Sequence, residues 1–138
     1  GGTVPYLGVF MGCKYTALDG TPTWSAYYPG TASCKANTEV TGYVIDDPNQ
    51  LFLVNCDAAA ADGLVFANAN WATSITGSTT TGYGYGELAV STANTTASLN
   101  LRILGFEDSP SNDDATVAGR LAIVKLNVHF FNTATGIN

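Results

Sequence analysis

Charge is scarce in this chain. Of 138 residues only 5 are Lys or Arg and 11 are Asp or Glu, so 12% are charged and the formal net charge is -6, against roughly 25% charged residues in an ordinary soluble domain. So few bases give no cationic footprint for a phosphate backbone, which argues against direct nucleic-acid binding. Histidine occurs once, at His129, and cysteine three times, at Cys13, Cys34 and Cys56. An odd cysteine count leaves at least one thiol without an intrachain partner, and no CxxC pair suggests zinc or redox work. Free thiols, buried as small apolar side chains in a protein assembled in the cytoplasm, are the simplest reading; a site built from the three cysteines and His129 is a weak alternative. No apolar run reaches the ~20 residues of a membrane span, and no basic segment leading into an apolar one opens the chain. It starts Gly1-Gly2 without Met, which leads us to expect that an upstream segment is missing.

What is present is neutral. Hydrophobic residues make up 46% of the chain, enough for the core of one domain spanning 1–138. Thr, Ser, Asn, Ala and Gly supply much of the remainder. Such a surface costs less to desolvate than a salt-rich one, so it suits lasting contact with another protein. It is equally the composition of a plain small β domain.

Strand signals dominate. Residues 6–11 lead through Gly12 into Cys13-Lys14-Tyr15, Asp19-Gly20 supplies a hairpin turn, and residues 23–28 continue before Pro29-Gly30 ends the strand. Val40 to Ile45 is rich in β-branched and aromatic residues, and Leu51-Phe52-Leu53-Val54 reads as a strand covered on both faces. Asp57 to Asp62 has the best helix propensity, with four alanines after a capping aspartate, and predicts a helix of about two turns. The Thr/Gly/Ser/Tyr-rich segment 73–86 cannot build a core and reads as a mobile loop or an arm ordered by a partner. Ala97, Leu99, Leu101 and Ile103 alternate with Ser98, Asn100 and Arg102, the mark of a strand with one wet face. Within 121–131, Ala122, Val124, Leu126, Val128 and Phe130 face one way, with Lys125, Asn127 and His129 on the polar face. Many short strands and almost no helix predict an all-β fold, an antiparallel β-sandwich or barrel with at most one short helix.

Chemical motifs are weak. Gly82-Tyr83-Gly84-Tyr85-Gly86 has GxGxG spacing with no following helix or lysine, which does not match a phosphate loop. Tyr83 and Tyr85, with Trp71, are instead candidate interface residues. His129 has no recognisable nucleophile, and no Gly-x-Ser-x-Gly elbow occurs. Asp46-Asp47-Pro48 reads as a turn that redirects the chain, because consecutive acids seldom converge across a cleft. Asp108, Asp113 and Asp114 lack the spacing, glycine and bidentate Glu of a calcium loop. They are read as turn residues, with weak cation binding as the alternative.

Four stretches together carry a resemblance: Val4-Pro5-Tyr6-Leu7-Gly8-Val9-Phe10-Met11-Gly12-Cys13-Lys14-Tyr15, Trp24-Ser25-Ala26-Tyr27-Tyr28-Pro29, Val44-Ile45-Asp46-Asp47-Pro48, and Leu101-Arg102-Ile103-Leu104-Gly105 before Asp108-Ser109-Pro110. In this order the chain resembles head decoration (cement) or minor capsid structural proteins of tailed bacteriophages. The resemblance implies a jelly-roll-like β fold on the outer surface of the virion, bound to a major capsid protein of HK97-type fold, with a second copy of itself as a further candidate partner. It also implies an additional N-terminal segment, and neither cofactor nor catalytic residues. The chain ends join Trp71, Tyr83 and Tyr85 as expected contacts. The alternative from the residues themselves is a carbohydrate-binding β-sandwich module of a tail fibre or adhesin, with sugar stacked on Trp24, Tyr27 and Tyr28.

Overall fold

The computed structural model describes residues 5–73 and 76–132. Within them the chain forms eight strands: β1 Val9–Thr16, β2 Pro22–Ser25, β3 Thr41–Ile45, β4 Phe52–Cys56, β5 Asn68–Trp71, β6 Glu87–Asn94, β7 Leu101–Phe106 and β8 Leu121–Leu126. The all-β class holds. Its form is a closed five-stranded barrel, β4-β6-β5-β7-β8, beside a three-stranded sheet, β2-β1-β3. All pairings between these strands are antiparallel except the short contact of β4 with β6, where Asn55 lies opposite Glu87 and Cys56 opposite Leu88.

A barrel of so few strands has a narrow bore, so its interior mixes small and large side chains. Ala69 and Ala122 sit among Val54, Cys56, Leu88, Leu101, Ile103, Val124 and Leu126 as one buried cluster. Alternation is clearest in β8, where Ala122, Val124 and Leu126 point inward; of the alternation expected from Ala97 to Ile103 only the part from Leu101 is strand, residues 97–100 forming the turn that leads into β7. Alternation is also clear in β4, which corrects the expectation of a strand covered on both faces: Val54 and Cys56 are buried, while Leu53 is 57% exposed. The wall of a single barrel has no second layer outside it to cover Leu53.

The helix expected over Asp57 to Asp62 does not form, and a 3-10 turn follows at Asp62–Leu64 instead. Tertiary bonds outbid local propensity here. Asp57 accepts the Val90 amide at 2.9 Å, Ala60 is fully buried, and the Ala60 carbonyl accepts Arg120 Nη1 at 2.8 Å. The face expected for His129 is likewise corrected. Inward alternation ends with Leu126; His129 is 1% exposed and Phe130 is exposed, because the chain leaves β8 and enters a 3-10 turn at Phe130–Asn132. That terminal piece holds the N-terminal segment: Tyr6 N–H donates to the Val128 carbonyl at 2.9 Å, and Phe130 N–H donates to the Tyr6 carbonyl at 2.8 Å.

Turns follow their residues. Asp19 accepts both the amide (2.9 Å) and the hydroxyl (2.6 Å) of Thr21, closing the β1–β2 hairpin. Asp47 accepts the Asn49 amide at 2.8 Å and its carbonyl accepts the Gln50 amide at 3.1 Å, so the Asp46-Asp47-Pro48 stretch turns the chain from the small sheet into the barrel. The glycine-rich segment is ordered as a small hairpin, Ser78 N–H donating to the Tyr83 carbonyl and Tyr85 N–H to the Thr76 carbonyl. Gly82 (φ +76) lies so near Ala26 that a Cβ would sit 2.5 Å from the Ala26 Cβ. The hairpin therefore ties the barrel to the loop after β2.

Truncating a barrel residue and a wall residue should separate interior from exterior. Leu101→Ala is expected to cost about 2–5 kcal/mol in urea denaturation, whereas Leu53→Ala should stay within about 0.5 kcal/mol of the parent.

Candidate functional site

The acidic loop is built as a structural clamp. Asn112 is buried and spans it: its side-chain amide donates to the carbonyls of Glu107 (2.8 Å) and Leu121 (3.0 Å), while its Oδ1 accepts the Leu121 amide at 2.6 Å. Arg120, 8% exposed, donates from Nε to the Asn112 carbonyl at 3.0 Å and from Nη1 to Asp62 at 2.7 Å. Its guanidinium also lies 4.0 Å above the Phe106 ring. Neither Asn112 nor Arg120 was recognised from sequence as a keystone, since each bonds mostly to distant backbone. Asp114 accepts both the amide and the hydroxyl of Thr116 (2.9 and 2.6 Å). These bonds hold its carboxyl below the usual value, as Thr21 does for Asp19. Among the described residues no group of three or more His, Cys, Asp or Glu side chains is arranged to hold a metal ion.

A depression of about 300 Å³ beside this loop is lined by Asp62, Phe106, Glu107, Asp108, Asp113 and Arg120, among others. Ser109 Oγ donates there to Glu107 at 2.8 Å, but no imidazole stands next to it. His129 Nδ1 accepts the Phe131 amide at 3.1 Å, and its Nε2 is buried without a partner. The imidazole is thus committed to the joint between β8 and Tyr6. Cys13, Cys34 and Cys56 are all free thiols. Burial, followed by the neighbouring Asp57 charge, pushes the Cys56 thiol up to about 11, with Arg120 pulling weakly the other way. Burial also raises the Cys13 thiol, and Cys34 nearby adds to the effect.

The interface candidates separate. Trp71 is half-buried and packs against the barrel core, with Gly86 under its ring. Tyr83 and Tyr85 are 72% and 56% exposed on the hairpin. The chain ends, also expected as contacts, lie outside the described residues.

The small sheet carries several uncovered large apolar side chains. Its strands pair with one another and none packs extensively on a barrel strand. Lys14 lies opposite both Trp24 and Thr41, and Gly12 lies opposite Tyr43, so these residues share one face. Trp24 crosses over Gly12 (φ +132), where a Cβ would come within 2.8 Å of the indole; only glycine admits that approach. On the other face Phe10 lies opposite Val44 and packs over Gly42, and Cys13 is covered by the loop that brings the Tyr27 carbonyl to 3.6 Å from its sulfur. Phe10, Met11, Trp24, Tyr28, Tyr43 and Val44 all remain exposed. Large apolar side chains uncovered on both faces of one sheet make it the candidate contact surface. Strand alternation alone did not reveal it, because period two cannot tell a covered face from an open one.

The chain matches no protein-family model, no curated protein and no solved structure.

The thiols provide a check on this packing. At pH 8 iodoacetamide should modify half-exposed Cys34 first, with Cys13 and Cys56 reacting only on unfolding. The fold's preference for a neutral Cys56 is complete below its ordinary value of 9.0 and is lost as the pH rises towards about 11, so native-state labelling of Cys56 should appear only at the alkaline end of that window.

Proposed function

We propose that this chain is a non-enzymatic virion structural protein, binding the outside of an icosahedral phage capsid and cementing neighbouring major capsid protein subunits of HK97-type fold against internal DNA pressure. The observation that carries the reading is the three-stranded sheet, whose large side chains are uncovered on both faces although the barrel beside it is well packed. The sequence resemblance to phage decoration proteins supports it from a separate direction. Physically, a protein bridging two capsomers adds a free energy of contact that must be lost before they part, and many copies make modest contacts effective. Low charge suits contacts that persist at varied salt.

The second reading, a carbohydrate-binding module of a tail fibre or adhesin, draws on Trp24 and Tyr28, which are 60% and 48% exposed; Tyr27 is half-buried. Saturable binding on a glycan array, lost in Trp24→Ala, would favour it.

Stripping the protein from purified particles should lower the temperature and the osmotic shock at which shells rupture, and adding it back should restore both. Because truncating a hot-spot aromatic costs about 2 kcal/mol or more, a Trp24→Ser/Tyr43→Ser variant should need at least ~10-fold more protein for the same protection. Unchanged rupture after stripping rejects the role.

A further inference from the structure

The outer edge of β3 is an open ladder. Thr41–Ile45 pairs with β1 on one side and, among the described residues, with no strand on the other. Natural edges are commonly blunted by proline, lysine, a bulge or a covering loop. The opposite edge, β2, begins with Pro22. β3 itself contains neither proline nor charge, and the irregularity in its pairing with β1 falls on the β1 side, between Phe10 and Gly12. Its first four residues are exposed.

We infer that β3 accepts an extended segment of a partner polypeptide as a fourth strand, and that this segment has an apolar, β-branched centre with basic residues at its ends. The inference deepens the proposed capsid contact and rests on that reading only for where the partner resides.

Two observations select this occupant. The first is area. An exposed aromatic side chain presents about 150–250 Å²; at the exposures of Phe10 (46%), Met11 (53%), Trp24 (60%), Tyr43 (47%) and Val44 (36%), the patch offers on the order of 500 Å² divided between two faces. A rigid globular partner meets one face at a time and typically covers ~800 Å² on its side, a little over half of it apolar, about twice what one face of this sheet offers. Apolar contact alone therefore falls short, whereas an added strand gains the unused backbone hydrogen bonds as well and reaches side chains above and below the sheet.

The second is charge. Glu39 stands before β3, and Asp46 and Asp47 follow it, all three exposed; the nearest cation in the ladder is Lys14, opposite Thr41 on β1. Both ends of the open edge are thus acidic. A second copy in the register centred on Tyr43 fits poorly, because that antiparallel β3–β3 pairing carries Glu39 of each copy towards Asp47 of the other. Like charges directly opposite destabilise a pair. A strand with Lys or Arg at its ends turns the contacts with these three acids into attractions.

The test uses the whole chain, 15N-labelled, and two synthetic peptides with the same alternating Val-Thr centre, one ended by lysines and one by glutamates, at low and at moderate salt. The lysine-ended peptide should shift and protect the Thr41–Ile45 amides and bind at least ~10-fold more tightly than the other. The charge-reversed variant Glu39→Lys/Asp46→Lys alters two exposed side chains and should invert that preference. No change at 41–45 with either peptide, equal response to both, or concentration-dependent protection of β3 by a second copy would overturn the inference. Because no capsid is present, such a failure leaves the cementing role to be judged by the rupture measurement.

Discussion

The bore of the five-stranded barrel is the constraint on which the rest of the molecule depends. A closed sheet of so few strands holds a single compact set of side chains, and the chain fills it with alanines interleaved among Leu, Ile and Val. Apolar residues beyond that set must be covered elsewhere or stay in water. Leu51, Leu53 and Phe66 stay exposed outside the barrel. The three-stranded sheet has still less cover, since Cys13 is its one fully buried apolar side chain, and three strands need a covered face to be stable alone.

The barrel supplies the anchorage that the small sheet lacks. Tyr6 is stitched between Val128 and Phe130, the Asp47 turn leads directly from β3 to β4, and the hairpin around Gly82 closes on Ala26. Buried polar groups do related work at the opposite loop, where Asn112 and Arg120 satisfy carbonyls that would otherwise be stranded. One of the few charged side chains in the protein is spent on that clamp. Apart from Lys14 and the Asp19 turn, the exterior of the small sheet is uncharged, with acid at both ends of β3, which is the arrangement from which the contact proposals grow.

Much of this was legible in residue order. The Asp19-Gly20 and Asp46-Asp47-Pro48 turns, the alternation of Ala122, Val124 and Leu126, and the all-β class all follow from side-chain period and turn chemistry. What was misread shares a cause. The alanines after Asp57 favour helix in isolation, yet the bonds from Val90 and Arg120 come from residues 33 and 60 positions away. Leu53 and His129 depend in the same way on what lies across from them. Of the expected contact residues, Tyr83 and Tyr85 are exposed while Trp71 packs on the core, a distinction that rests on which ring finds a neighbour.

By itself the sequence determined the secondary-structure class, the places where the chain turns and the neutrality of its surface, since these depend on backbone preference and composition within a few residues. Only the tertiary structure decided that the strands close into a barrel with a separate open sheet, and hence which apolar side chains are inside. Closure is a matter of pairing between distant strands, and the same alternating pattern serves a covered face and a bare one.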